Sequence, residues 1–444
     1  MDCSRLLKAG VGVWLFVSFG AIFHICAETT TNTPSISAPD HLSLAKARQL
    51  AFERNWDLLA SKSGIDSATA QLIVAKEVPN PNVSLSTTKI DPNGNATPLG
   101  NSFWDRSYDT IFAVTQLIEI AGKRHDRQTS ARAGIVGARA RFFDARRTLE
   151  QGVTKAYIAA LLANENERIL TDSAGSLRHE ADIAKVRLKA GDISESDERQ
   201  IENNADVFDL QAKSARASAV QARVAVEVLM GVRTPKGNWI PEDSLETLSL
   251  SPAAPPELHS VAARPDVLAA EADVRKAESD LQLQKALRIP DPTFLLQYER
   301  NPPPPPGPNT WGIGVSFPLP LWNLNRGNIK SAQAALDQSA IALDKARAQV
   351  IADISNADVG YREAFERWQR YQSQIRPRAA KVRESVAYAY EKGGASLVDL
   401  LTAERDDNSV RLATAQAMSD TASAAADLTA ARNVLSENEL TSRK

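Results

Sequence analysis

Cysteine is almost absent from this chain: Cys3 and Cys26 are the only two in 444 residues, and both lie in the first stretch. Beyond Cys26, disulfides, a thiol nucleophile and a cysteine-built metal site are therefore excluded. Proline is missing over two long stretches, with none between Pro98 and Pro235 and only Pro377 after Pro320. An excess of charge of one sign is lacking too. The 52 basic and 54 acidic side chains leave a formal charge of −2, and no Lys/Arg-rich run offers a footprint for nucleic acid. Histidine and methionine are sparse. His41, His125, His179, His259, Met230 and Met418 form no ligand-spaced cluster, so no metal site is expected. No nucleophile elbow, zinc-protease helix, phosphate loop or dinucleotide fingerprint appears, so the sequence points away from an enzyme and calls for no cofactor.

The N-terminus indicates a compartment. Arg5 and Lys8 precede an apolar run from Ala9 to Ile25, followed by Cys26-Ala27-Glu28. This predicts a secretory signal over residues 1–27 with cleavage after Ala27. The run lies near the lower length limit for a membrane span and contains His24. Cys26 carries a second reading, as a lipid acceptor at the start of the mature chain, although Ile25 stands where a lipid-attachment motif has a small residue.

The proline-free stretches are rich in Ala, Leu, Glu, Gln, Arg and Lys, all good helix formers. Leu336, Leu343, Val350 and Ala357 recur at heptad spacing with Ala332, Ala340, Ala346 and Ile354 beside them, a narrow apolar seam of the coiled-coil type. A single helix from Lys123 to Lys189 would be about 100 Å long, far beyond the needs of a compact domain.

Between the long helices the period changes to two. Trp311, Ile313, Val315 and Phe317 alternate with Gly312, Gly314 and Ser316; Phe294, Leu296 and Tyr298 with Leu295, Gln297 and Glu299; Val83 and Leu85 with Ser84 and Ser86. The stretch Tyr108 to Leu117 is strand-like but mixed on both faces. Strands with lipid on one side and water on the other read this way. Four strands cannot close a barrel, and an open edge cannot sit in lipid, so a membrane role requires oligomerisation. The connections Asp91 to Pro98 and Pro302 to Pro308 read as long turn-rich loops, the second stiffened by its proline run.

The order of these features occurs twice. A helix runs into Pro79-Asn80-Pro81, then a strand pair and a helical hairpin turning at Gly191 to Asp197; a second helix runs into Pro290-Asp291-Pro292, then a strand pair and a hairpin turning at Gly393 to Asp399. Gly191, Ser194 and Asp197 recur at one constant offset as Gly393, Ser396 and Asp399. The reading is a tandem duplication. Its first repeat spans 28–233, with a strand hairpin over 82–117 and a helical hairpin over 120–231. Residues 234–259, rich in Pro, Ser and Glu, form a partly structured linker. The second repeat spans 260–444, with strands over 292–317 and helices over 326–436. Pro79, Pro81, Pro290 and Pro292 mark abrupt helix-to-strand bends, because proline lacks the donor a helix needs and restricts its predecessor.

With those residues in view, the chain resembles the outer-membrane factor family, the TolC-like exit ducts of tripartite efflux pumps and type I secretion systems. The resemblance covers roughly residues 41–435. It is carried by Arg264-Pro265-Asp266 with Ala269-Ala270-Glu271, the paired Pro-x-Pro elements, Gly122-Lys123-Arg124, and Pro318-Leu319-Pro320-Leu321 with Asn325-Arg326-Gly327. The last segments look most like the CzcC-type branch associated with heavy-metal efflux. The resemblance implies a mainly α fold with a small membrane β-barrel portion: a homotrimer in outer-membrane lipid whose twelve strands close one barrel, with a helical tube in the periplasm. It also implies two further partners, a periplasmic adaptor and an inner-membrane transporter of the RND type. Family hairpin tips carry an Arg, Gly, Ser and Asp pattern that contacts the adaptor; Arg187, Gly191, Ser194 and Asp197 match it, as do Gly393, Ser396 and Asp399, while Ala389 holds the second Arg position. The residues alone leave a structural account of these turns equally open, with Gly closing one helix and Ser and Asp capping the next. Asp192, Glu195 and Asp197 are candidates for an acidic ring at a periplasmic aperture. The competing functions are a coiled-coil envelope scaffold without a pore and a type I protein secretion duct.

The cleavage reading has a direct test. The intact mass of the exported protein should correspond to a chain starting at Glu28, and a mass that includes Cys26 with acyl chains would instead establish the lipid-anchored form.

Overall fold

A computed structural model describes residues 38–88, 109–249, 263–300 and 309–432. The leader with Cys26, the connections around 91–98 and 302–308, residues 250–259 of the expected linker and the chain after Arg432 lie outside the described residues. The elements follow in the order β1 (His41–Leu42), α1 (Leu44–Arg54), α2 (Trp56–Lys76), β2 (Asn82–Thr88), β3 (Asp109–Leu117), α3 (Lys123–Ala190), α4 (Glu195–Leu229), β4 (Ile240–Pro241) and α5 (Leu245–Ser249). Then come α6 (Pro265–Ala286), β5 (Thr293–Arg300), β6 (Thr310–Ser316), α7 (Arg326–Arg370), a π-turn (Tyr371–Ile375), α8 (Arg376–Glu391) and α9 (Leu397–Arg432). The protein is mainly helical, and α3, at 68 residues, is about 100 Å long.

Helix α3 is the backbone of the molecule and packs on α2, α4, α6 and α9. Its small buried residues, Gly137, Ala140, Ala160, Ala181 and Ala184, let neighbouring helices approach closely. Midway along it sits the densest core. Val153, Tyr157, Ile158 and Leu161 meet Leu42, Leu50, Val226, Met230 and Trp239 there, and Tyr157 stacks on Trp239 at 5.7 Å between ring centroids. The buried Tyr157 hydroxyl donates to the Leu42 carbonyl at 2.7 Å, which satisfies its one polar atom. Strand β1 pairs in parallel with β4 beside this core. The described part of the segment expected as a partly structured linker, 234–249, packs on this core: Trp239 and Leu245 are buried, and the buried Glu227 carboxylate accepts from the Gly237 amide at 2.9 Å.

The four long strands form one antiparallel sheet in the order β2-β3-β5-β6, joined across β3 and β5. On α7, Val350 is buried and Leu336 and Leu343 are half-buried along the expected seam, while Ala340 is exposed. Within the helical stretch expected over 326–436, the chain widens into the π-turn just before Pro377. That change accommodates a residue without an N–H.

Where helices meet the sheet, the Pro-x-Pro elements are held by contacts between segments distant in sequence. Asp291, between Pro290 and Pro292, receives the buried Lys123 ammonium at 2.8 Å and the Ile120 amide at 2.9 Å. The Lys123 ammonium also donates to the Ile289 carbonyl, and Pro292 accepts from the Ile118 amide at 3.0 Å. At the other bend, Gln116 donates to the Pro79 carbonyl at 2.9 Å, while Arg124 caps the end of α2 through the Lys76 carbonyl at 2.6 Å. Asn325, in the left-handed region at φ 56°, ties the start of α7 to Gln284 of α6. Replacing Lys123 with Ala should therefore strand a shielded carboxylate at Asp291 and cost about 3 kcal/mol. Chemical denaturation followed by circular dichroism measures that loss, and an unchanged midpoint would show that the junction does not depend on the pair.

Candidate functional site

The tips of the two helical hairpins lie together. Helix α3 ends in a left-handed glycine, Gly191 at φ 82°, whose amide donates to Leu188 while the Asp192 amide reaches the Arg187 carbonyl at 2.9 Å. Gly393, at φ 75°, closes α8 in the same way: its amide reaches Tyr390, and the Gly394 amide reaches Ala389 at 2.7 Å. This paired bonding satisfies carbonyls that a helix end otherwise leaves open, and a positive φ is easily adopted only by glycine. On the far side of each turn a serine caps the next helix. Ser194 accepts from the Asp197 amide at 3.1 Å and Ser396 from the Asp399 amide at 3.2 Å. Asp399 returns the contact, accepting from the Ser396 amide at 3.0 Å and its hydroxyl at 2.7 Å, and these bonds hold its carboxyl below the usual carboxylate range.

Both turns line one shallow groove. Arg187, Gly191, Asp192, Ser194 and Asp197 face Tyr390, Gly393 and Ser396 across it. The Arg187 guanidinium carbon lies 5.6 Å from the centre of the Tyr390 ring, so the single tip arginine joins one hairpin to the other. Tyr390 escaped the sequence reading, since an aromatic near a helix end has no distinctive spacing. Ala389 contributes only a backbone carbonyl at the second Arg position. Of the three acidic candidates, Asp192 and Asp197 line the groove, whereas Glu195 is engaged by Arg199 on its own helix at 2.7 Å.

At the opposite end, the sheet exposes an apolar face. Val83 pairs with Val114, which pairs with Leu296, which pairs with Ile313; Leu85, Phe112, Tyr298 and Trp311 form a second cross-strand row. Ile313 is 88% exposed and Trp311 72%. The other face is mostly small or polar, with Ile111 and Leu295 among its residues: Ser84, Ala113, Gln297 and Gly312 lie side by side, and a Cβ at Gly312 would come within 2.8 Å of Gln297. Among the described residues, β2 and β6 each have one strand neighbour, leaving two open edges. No described helix is long and apolar enough to cross a membrane, and no described group of three or more His, Cys, Asp or Glu side chains is placed to hold a metal ion.

The family described as outer membrane efflux protein matches residues 47–232 and 259–434. The cobalt-zinc-cadmium resistance protein CzcC of Cupriavidus metallidurans is 26% identical to the chain, covering 88% of it and 91% of CzcC. Two solved outer-membrane channels share the fold. The Campylobacter jejuni CmeC channel superposes with a TM-score of 0.73 at 19% identity, over 87% of this chain and 85% of CmeC. The open-state Neisseria gonorrhoeae MtrE channel does so with a TM-score of 0.72 at 20% identity, over 87% of this chain and 88% of MtrE. The chain belongs to the outer membrane efflux protein family.

Proposed function

We propose that this member of the outer membrane efflux protein family acts as a trimeric exit duct, carrying substrate from a periplasmic adaptor and an inner-membrane transporter to the cell exterior. The observation that carries this reading is the four-stranded sheet with one apolar exposed face and two open edges. In lipid an unpaired strand edge is untenable, and three copies joined edge to edge would close a twelve-stranded barrel with the apolar face outward and the Ser, Gly and Gln face lining water. The long helices below the sheet would form the periplasmic tube. A coiled-coil scaffold without a pore leaves that apolar face unexplained.

The tips are the proposed adaptor-docking surface: Arg187, Gly191, Ser194, Asp197, Gly393 and Ser396 line one groove, and Asp399 holds Ser396 beside it. Asp192 and Asp197 stay the candidates for a periplasmic acidic aperture. For cargo we favour divalent heavy-metal ions and an RND-type pump, from the likeness to a cobalt-zinc-cadmium resistance protein over most of both chains. A duct that passes ions need not bind them.

Two substitutions separate these parts. Ile313→Arg on the exposed face should cost about 2–4 kcal/mol of membrane insertion and deplete the protein from outer-membrane fractions, whereas a normal membrane yield would remove this face from lipid. Gly191→Pro cannot adopt φ 82° and should abolish efflux while the assembled protein persists in the membrane. Efflux that survives would place docking elsewhere.

A further inference from the structure

The apolar face of the sheet does not stop where the strands do. Strand β6 has seven residues, which at about 3.3 Å each and a tilt of about 40° cover roughly 18 Å of a membrane normal, short of an apolar band of about 25 Å. At the helix end the surface continues. Ile118 and Phe317 lie one step beyond the paired residues, extend the outward rows of β3 and β6, and are 45% and 56% exposed. The chain then runs through Pro318-Leu319-Pro320-Leu321-Trp322, with Leu319 and Leu321 each 65% exposed and Trp322 93% exposed. The two prolines restrict this segment, and a bond from the Leu321 amide to the Leu319 carbonyl at 2.9 Å closes a tight turn just before Trp322.

The next layer toward the helices is basic. Lys76 ends α2, Lys285 and Arg288 lie at the end of α6, and Arg326 and Lys330 lie in the first turns of α7; all five are exposed, and none is in an ion pair with a described residue. The bends hold these helix ends at one level. Asn325 reaches the Gln284 carbonyl at 2.8 Å, Lys123 the Ile289 carbonyl at 2.5 Å and Arg124 the Lys76 carbonyl at 2.6 Å. Carboxylates are fewer there. Glu119 and Asp291 are occupied by Arg127 and Lys123, which leaves Glu77 and Asp126 against the five cations.

Apolar side chains, then a tryptophan, then cations is the order in which a membrane leaflet offers acyl chains, a polar boundary and phosphates. Indole suits the boundary, having an apolar ring and one N–H donor, and clustered basic side chains favour anionic headgroups. We propose that residues 317–322 and these cations form an interfacial collar that binds anionic phospholipid of the periplasmic leaflet, with Trp322 among the headgroups and Lys76, Arg288 and Arg326 drawing the phosphates. A neighbouring copy does not supply the missing negative charge. Closure of the barrel would set Arg326 and Lys330 beside the bend below β2 of the next copy, which carries Lys76 and Glu77, so the joint itself keeps a net positive charge.

The collar rests on the duct reading for the place of the sheet in lipid, and two labels separate the failures. Nitroxides are attached at Ile313→Cys and Leu321→Cys of the full-length channel in nanodiscs, and their access to oxygen and to a water-soluble nickel complex is measured. The Ile313 label should favour oxygen strongly, and the Leu321 label should give an intermediate ratio, at headgroup depth. A Leu321 label in open water, or one shielded from both reagents by a neighbouring copy, overturns the collar while the Ile313 label still supports the duct. An Ile313 label in water defeats both. For the headgroups, the channel is reconstituted in equal phosphatidylglycerol and phosphatidylcholine and re-extracted, and the lipid it retains is counted by mass spectrometry. Phosphatidylglycerol should be enriched several-fold, and Lys76→Ser, Arg288→Ser and Arg326→Ser together should return the ratio to that of the bilayer. No enrichment in the unaltered channel, or an enrichment that the substitutions leave in place, overturns the proposal.

Discussion

The backbone edges of β2 and β6 constrain everything else in this molecule. A four-stranded sheet presents a row of unpaired N–H and C=O groups on each side, and here the same sheet turns Ile313, Trp311, Leu85 and Val83 outward. In water, such a surface invites aggregation; in lipid, the edges are intolerable unless another strand covers them. The closure by further copies of the chain proposed above would answer both problems. The open side of the long helices follows suit: Ile341, Ile351 and Val359 of α7 are exposed in the single chain, as side chains would be that await a neighbour.

The sheet can do this only if its orientation on the helices is fixed. That task falls to the bends, where the Lys123 and Asp291 pair, the Arg124 cap on α2 and Asn325 bound to α6 lock each helix end to its strand. At the far end the same logic appears in a lighter form. Gly191 and Gly393 close their helices, serines open the next ones, and Arg187 on Tyr390 joins the hairpins across the groove.

Much of this was legible in the residues. Proline-free stretches of helix formers located α3, α4, α7 and α9, and the period-two alternation located β2, β5 and β6. Gly191 and Gly393 were readable because a positive φ selects glycine, and Ser194 and Ser396 because capping selects short oxygen-bearing side chains. What escaped depended on distant residues meeting. Asp291 was hidden between two prolines and needed Lys123 from another part of the chain. Tyr390 needed Arg187, and the burial of the segment after Thr234 needed Trp239 to stack on Tyr157. The joining of two strand pairs through β3 and β5 was equally unreadable, since local alternation carries no information about which strands pair.

The account stands most directly on the edges. Cysteines placed singly and together at Ser84 in β2 and Gly314 in β6 should form a disulfide between neighbouring copies in isolated outer membranes. The double substitution should give a ladder that ends at a closed trimer, and neither single one should do so. A double-cysteine protein that remains monomeric under oxidation, while still residing in the membrane, would contradict closure of the sheet by its own copies.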